Sequence, residues 1–159
     1  MKKLTCVILI VLGTIAFACL PNSTTAAGES GTVTGAASCT FAPGAAFDSI
    51  ALSSLDLGTG VFIEPDGSAT GPFNAVLSGQ SLLGQPQQVT VDGKVLRGAI
   101  APNGRAYVSG IATINFGNGT PPLVGVPFGV TTTADSLVLS INSTTLPAAQ
   151  LNAGAISIE

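Results

Sequence analysis

Residues 89–116 read VTV-DG-KVLRGAI-APNG-RAYVSGIATINF, alternating runs interrupted by two turn signals, and no other stretch restricts the fold as much. Successive side chains on a strand point to opposite faces, so such alternation belongs to strands with one buried face. Asp92-Gly93 is a two-residue hairpin signal, because a type I′ turn needs positive φ at both central positions and Asp and Gly accept that most readily. It predicts Val91 opposite Lys94 and Val89 opposite Leu96. Pro102-Asn103-Gly104 predicts a type I turn closed by a glycine bulge, with Ala101 opposite Arg105, Ile100 opposite Ala106 and Leu96 facing Gly110. The two registers agree on one core face, made of Val89, Val91, Leu96, Ile100, Ala106, Val108, Ala112, Ile114 and Phe116. The opposite face holds Arg97, Arg105, Tyr107, Ser109 and Thr113, together with Val95 and Ile111.

The same turn chemistry recurs upstream. Ile63-Glu64-Pro65-Asp66-Gly67-Ser68-Ala69 matches the pattern from Ile100 to Ala106, and its three-residue loop pairs Ile63 with Ala69. Val61, Ile63, Ala69, Phe73, Ala75 and Leu77 then share a face. A second near-repeat sets residues 54–60 beside 113–119; two copies without a fixed period fit convergence on common turn residues better than a repeat array. Residues 32–41 read as the first strand, closed by Ala42-Pro43-Gly44. In residues 47–57 the apolar parity changes between Ile50-Leu52 and Leu55-Leu57, which implies a bulge at Ser53-Ser54. Residues 79–87 are a polar connection interrupted by Leu82-Leu83. Residues 123–133 read as a strand with Val124, Val126, Phe128 and Val130 on one face, and Pro127 requires an edge or a bulge there. Leu137, Leu139 and Ile141 alternate, residues 147–152 have room for one helical turn, and residues 155–158 close the chain as a strand. The expected fold is all-β, a single-domain antiparallel β-sandwich or small β-barrel of roughly nine or ten strands over residues 32–159. With one Tyr and no Trp, the aromatic girdles of a membrane barrel cannot be built.

The beginning of the chain points outward from the cell. Lys2-Lys3 followed by an apolar run over residues 4–20 has the layout of a secretory signal rather than of a membrane span. Cleavage after Ala27 makes residues 1–27 the signal. The alternative is a lipoprotein signal over residues 1–18, with Cys19 as the candidate lipidation residue after Ala16-Phe17-Ala18 and residues 19–31 as a tether. Either way the expected location is exported: secreted, periplasmic or associated with the cell envelope, with no transmembrane span after processing. From Gly28 onward eight acids face three bases, a net charge of −5 that excludes a nucleic-acid face. Cys39 reads as a small buried hydrophobe beside Val33, Ala37 and Phe41, with a bridge to Cys19 as the alternative.

The chain contains no histidine, which removes imidazole relays and the commonest transition-metal ligand. Carboxylate chemistry is what remains, with Asp48, Asp56, Glu64 and Asp66 as candidates, but Glu64 and Asp66 flank a turn apex where Asp is expected for conformational reasons. Asp66-Gly67-Ser68 and Asp92-Gly93 lack the multi-acid spacing of a calcium loop, and neither glycine pair, Gly58/Gly60 or Gly117/Gly119, precedes a helix as a nucleotide loop would. No catalytic residue, metal site or cofactor is expected. All three bases of the mature chain lie in residues 89–116, and Arg97, Arg105 and Tyr107 form the candidate binding patch, an anion or glycan contact with Arg97 diagonal to Tyr107 within cation–π reach. The leading expectation is an exported, non-catalytic β-domain with an interaction or structural role, its partner a cell-surface or envelope component. The alternatives are a small β-barrel binding an apolar ligand such as a lipid, and a hydrolase that works with carboxylates alone.

Overall fold

A computed structural model describes residues 30–159; the signal segment, Cys19, and with it the lipidation site and the Cys19 to Cys39 bridge, lie outside the described residues. Ten strands form one antiparallel sheet: β1 Gly31–Phe41, β2 Ala46–Phe47, β3 Ile50–Ile63, β4 Ser68–Gln80, β5 Pro86–Ala101, β6 Arg105–Asn115, β7 Leu123–Thr132, β8 Ser136–Ile141, β9 Thr144–Thr145 and β10 Ala149–Ile158. From β3 to β8 each strand pairs with the next, β8 pairs with β10, β10 with β1 and β1 with β3, so the pairings run in a ring with β2 and β9 as short additions. The expected all-β antiparallel fold is therefore present. Side chains from every long strand meet in one apolar cluster inside the ring, among them Val33, Leu55, Leu77, Val89, Val91, Ala106 and Leu139.

Both tripeptide turns form as their residues dictate. The Gly67 N–H donates to the Glu64 carbonyl at 3.0 Å and the Gly104 N–H to the Ala101 carbonyl at 3.0 Å, with φ of 79° and 73° at the two glycines. An Asx side chain braces each loop: the Ser68 N–H donates to Asp66 Oδ1 at 2.8 Å and the Arg105 N–H to Asn103 Oδ1 at 3.2 Å. Ile63 pairs with Ala69 and Ile100 with Ala106, as the sequence pattern requires. The expected bulge also appears, as a register shift between Leu52 and Ser54 that lets Leu52 and Leu55 both face the core. Pro127 lies at the end of the β7–β8 pairing, which begins at Phe128, and its carbonyl accepts from the Asn142 N–H at 2.8 Å just past β8. A residue without an N–H is tolerated in such a place.

Asp92-Gly93 is not a turn. β5 runs straight through it, with Asp92 paired to Asn74 and Thr113 and Gly93 to Phe73 and Ala112. Glycine is needed there for space and not for positive φ: a Cβ on Gly93 would lie 2.8 Å from the Phe128 ring. Residues 89–116 are consequently two long strands and one hairpin. The register error carries a second one with it. A bulge between Val95 and Arg97 turns Val95 into the core at 0% exposure and leaves Leu96 outside at 45%, the reverse of the expected assignment. The two-residue hairpin turn occurs instead at Asp48-Ser49, both with positive φ, which detaches β2 from β3 within the stretch expected to be continuous. Val124 is exposed because Gly125, at φ 74°, interrupts the alternation before Val126. Residues 147–152 form no helical turn; β10 begins at Ala149, where pairing to both Phe41 and Leu137 draws the chain into the sheet.

The strands are strongly staggered. Phe41 pairs with Ala149, Ala149 with Leu137, Leu137 with Thr132, Thr132 with Ala106 and Ala106 with Ile100, yet Ile100 lies beyond the last residue of β4 that pairs with β5. This carries the end of β5 over the start of β1, where the Ile100 side chain occupies the space beside Gly31. One end of the ring holds the turns at residues 64–67, 102–104 and 133–135, while the other holds Asp48-Ser49 and residues 81–85, 116–122 and 142–143.

Two outcomes follow from this packing. Gly93→Val forces a branched side chain against Phe128 and is expected to lower unfolding stability by about 1–3 kcal/mol, read as a fall in the urea midpoint; an unchanged midpoint contradicts the packing role of this glycine. Hydrogen bonds from Ser68 hold the Asp66 carboxyl below its usual pKa. A depressed folded-state pKa means the bracing is complete above the ordinary aspartate value of about 3.9 and is lost as the pH falls through the lower folded value. NMR titration should show the Ser68 amide shifting with the Asp66 carboxyl in that acid window, and Asp66→Asn should abolish the shift.

Candidate functional site

The outer face of β5, β6, β7 and β8 forms a shallow groove of about 340 Å³. Register alone explains its shape. One cross-strand row runs Arg97, Ser109, Gly129, Ser140, and the adjacent row runs Ala99, Tyr107, Thr131. Gly129 carries no side chain and the flanking residues are small or hydroxylated, so the floor is low and lined with hydrogen-bonding groups. Arg97 and Tyr107 both border it, and Tyr107 is 41% exposed.

The three residues of the expected patch occupy the same outer face, with Arg97 diagonal to Tyr107 as expected. Ala99 is directly opposite Tyr107, so Arg97 is one diagonal step away, and no stacking of Arg97 on the ring is found among the described residues. The Tyr107 hydroxyl instead accepts a long hydrogen bond of 3.5 Å from Arg105 Nη1, two residues along the same strand. Arg105 thus approaches the tyrosine from outside the groove, while Arg97 contributes at its border and lies near enough to Asp66 to help lower that carboxyl's pKa. The sequence carried the patch but not the groove, because Gly129, Thr131 and Ser140 acquire their roles only when β7 and β8 are placed beside β6.

The carboxylate candidates are dispersed. Asp48 sits in the two-residue turn, Glu64 and Asp66 in an exposed turn at the opposite end, and Asp56 on β3 accepts a short hydrogen bond from the Ser38 hydroxyl. Asp66 is shifted toward ionisation, the opposite of what a general acid requires.

A second depression, of about 470 Å³, opens at the ring end that holds residues 116–122. Phe47 and Phe116 stack there with ring centroids 6.1 Å apart, and Ile114, Leu123, Val126 and Ile141 complete an apolar wall. Residue types alone could not locate it, since Phe47 on β2 and Phe116 beyond β6 are brought together by ring closure.

Cys39 is fully buried, without a disulfide partner among the described residues, and is paired across the sheet with Leu55 and Leu151. Burial pushes its thiol pKa up, and the nearby Asp56 charge adds to the effect. The thiolate is the reactive form, so Cys39 should be modified by a thiol reagent no faster than the fold opens. Peptide mass spectrometry after iodoacetamide treatment checks this, and rapid native-state labelling of Cys39 would contradict the burial. No protein family, no curated protein and no solved structure matches this chain.

Proposed function

We propose that the chain is an exported, non-catalytic β-domain that acts by binding a cell-surface or envelope component, with the groove between Arg97 and Tyr107 as its contact face for an anionic or glycan partner. One observation carries the reading: a guanidinium and a half-exposed aromatic ring border a trough whose floor is glycine and hydroxyls. A sugar ring offers an apolar C–H face to an aromatic side chain and hydroxyls to Ser and Thr, and Arg can take a carboxylate or sulfate in a bidentate grip. The leader supports export. The dispersed carboxylates and the lowered pKa of Asp66 weigh against the hydrolase alternative.

The interior of the ring is filled by its own side chains, with Phe73 and Phe128 stacked 5.3 Å apart in the middle. An apolar ligand held inside, as in a wider barrel, would have to displace that core.

Arg97→Ala combined with Tyr107→Ala should reduce binding to an array of acidic and neutral glycans by about tenfold or more, with an unchanged urea midpoint because both side chains are on the surface. Equal binding by the double variant, or no glycan bound by the parent protein, would sink the groove reading.

A further inference from the structure

The charges of the described residues are unevenly distributed between the two ends of the ring. Glu64, Asp66, Arg105, Asp135 and Glu159 cluster at one end, whereas the loops at the opposite end carry a single charged residue, Asp48. That weakly charged end exposes large apolar side chains: Leu82 at 85%, Leu83 at 86%, Val124 at 81% and Leu123 at 51%. Leu82 and Leu83 form the tip of the β4–β5 hairpin, which is held in shape by the Ser81 N–H donating to the Gln85 carbonyl at 2.9 Å and the Gly84 N–H to the Ser81 carbonyl at 2.8 Å. They constitute a fixed apolar knob. Beside it opens the depression of about 470 Å³ walled by Phe47, Phe116, Leu123 and Ile141. The two features are tied together, because Gln87 Nε2, just past the hairpin tip, donates to the Phe116 carbonyl at 3.1 Å.

We propose that two copies of this chain associate end to end, each inserting Leu82 and Leu83 into the Phe47/Phe116 depression of the other. A two-fold axis through this end pairs a knob with a depression twice, so one surface suffices for a closed, self-complementary contact. The depression is large enough for two leucine side chains, and Asp48 is the only charged residue lining it, so filling it desolvates little charge. A lipid surface is the competing occupant. It is disfavoured by what this end presents: Arg97, Arg105 and Tyr107 lie on β5 and β6 away from it, and Lys94, which lines a neighbouring depression with Val124, shares that lining with the opposite charge of Asp92.

Sedimentation velocity on the full chain, run in parallel with its variants, tests the pairing. The parent should show a concentration-dependent monomer–dimer equilibrium with a dissociation constant of about micromolar order, as expected for a small interface. Leu82→Ser combined with Leu83→Ser should weaken it by about 100-fold, and Val124→Glu, at the rim of the depression, should do the same. All three side chains are exposed, so circular dichroism should show the fold retained. Mixing the two variants leaves one intact knob facing one intact depression, and the mixed dimer should be tighter than either variant with itself. The proposal is overturned by a parent that stays monomeric to about 1 mM, by self-association that the leucine variant does not change, by a mixture no tighter than its components, or by leucine-dependent binding to neutral phosphatidylcholine vesicles without self-association.

Discussion

Phe73 on β4 and Phe128 on β7 stack across two intervening strands, with ring centroids 5.3 Å apart and planes 22° from parallel. The contact exists because the inner surface of β5 and β6 is low at that level, where Gly93 and Ala112 pair with each other. A curled sheet brings non-neighbouring strands together only if the residues between them leave room, and aromatic rings buried in this way contribute more area than any aliphatic substitute. The bend of the sheet, the continuity of β5 and the placement of β7 all depend on that clearance. Burial of a single such ring is worth about 1.5–3 kcal/mol, a sizeable share of the net stability of a domain this size.

Ring closure has consequences for what the surface can do. Sheets whose strands all find partners avoid the open edges that promote aggregation, and here the long strands are joined into a circuit. The stagger that closes the circuit also separates the chemistry: charged turns gather at one end, apolar loops at the other, and the basic residues stay on β5 and β6. The outer groove and the apolar depression are therefore independent surfaces. A partner on the sheet wall leaves the end free, which is compatible with a domain that both binds and assembles.

Much of the local structure was legible because it rests on short-range rules. The turns at residues 64–67 and 102–104 follow from Pro, Asx and Gly at fixed offsets, and the bulge near Ser53 from the parity of neighbouring apolar residues. Asp92-Gly93 shows where such rules stop. The dipeptide satisfies the chemistry of a tight turn, but the glycine answers a demand set by Phe128, thirty-five residues later in the chain. Leu96 and Val95 follow the same logic, since a bulge in β5 decides which of two adjacent apolar residues enters the core. The candidate patch was partly legible: its members were placed on one face, while its glycine and hydroxyl floor came from strands whose adjacency no local pattern encodes.

Alternating polarity, turn residues and the absence of histidine by themselves determined an antiparallel all-β chain with two defined hairpin turns and without imidazole chemistry. Those properties depend on side-chain period, backbone φ preference and functional-group inventory, each of which is complete within a few residues. Tertiary structure alone decided that the sheet forms a ring, that Asp92-Gly93 stays extended, that Arg97 and Tyr107 border a groove, and that Phe47 meets Phe116 beside an exposed pair of leucines. These outcomes are set by steric fit between residues distant in sequence, which no local preference contains.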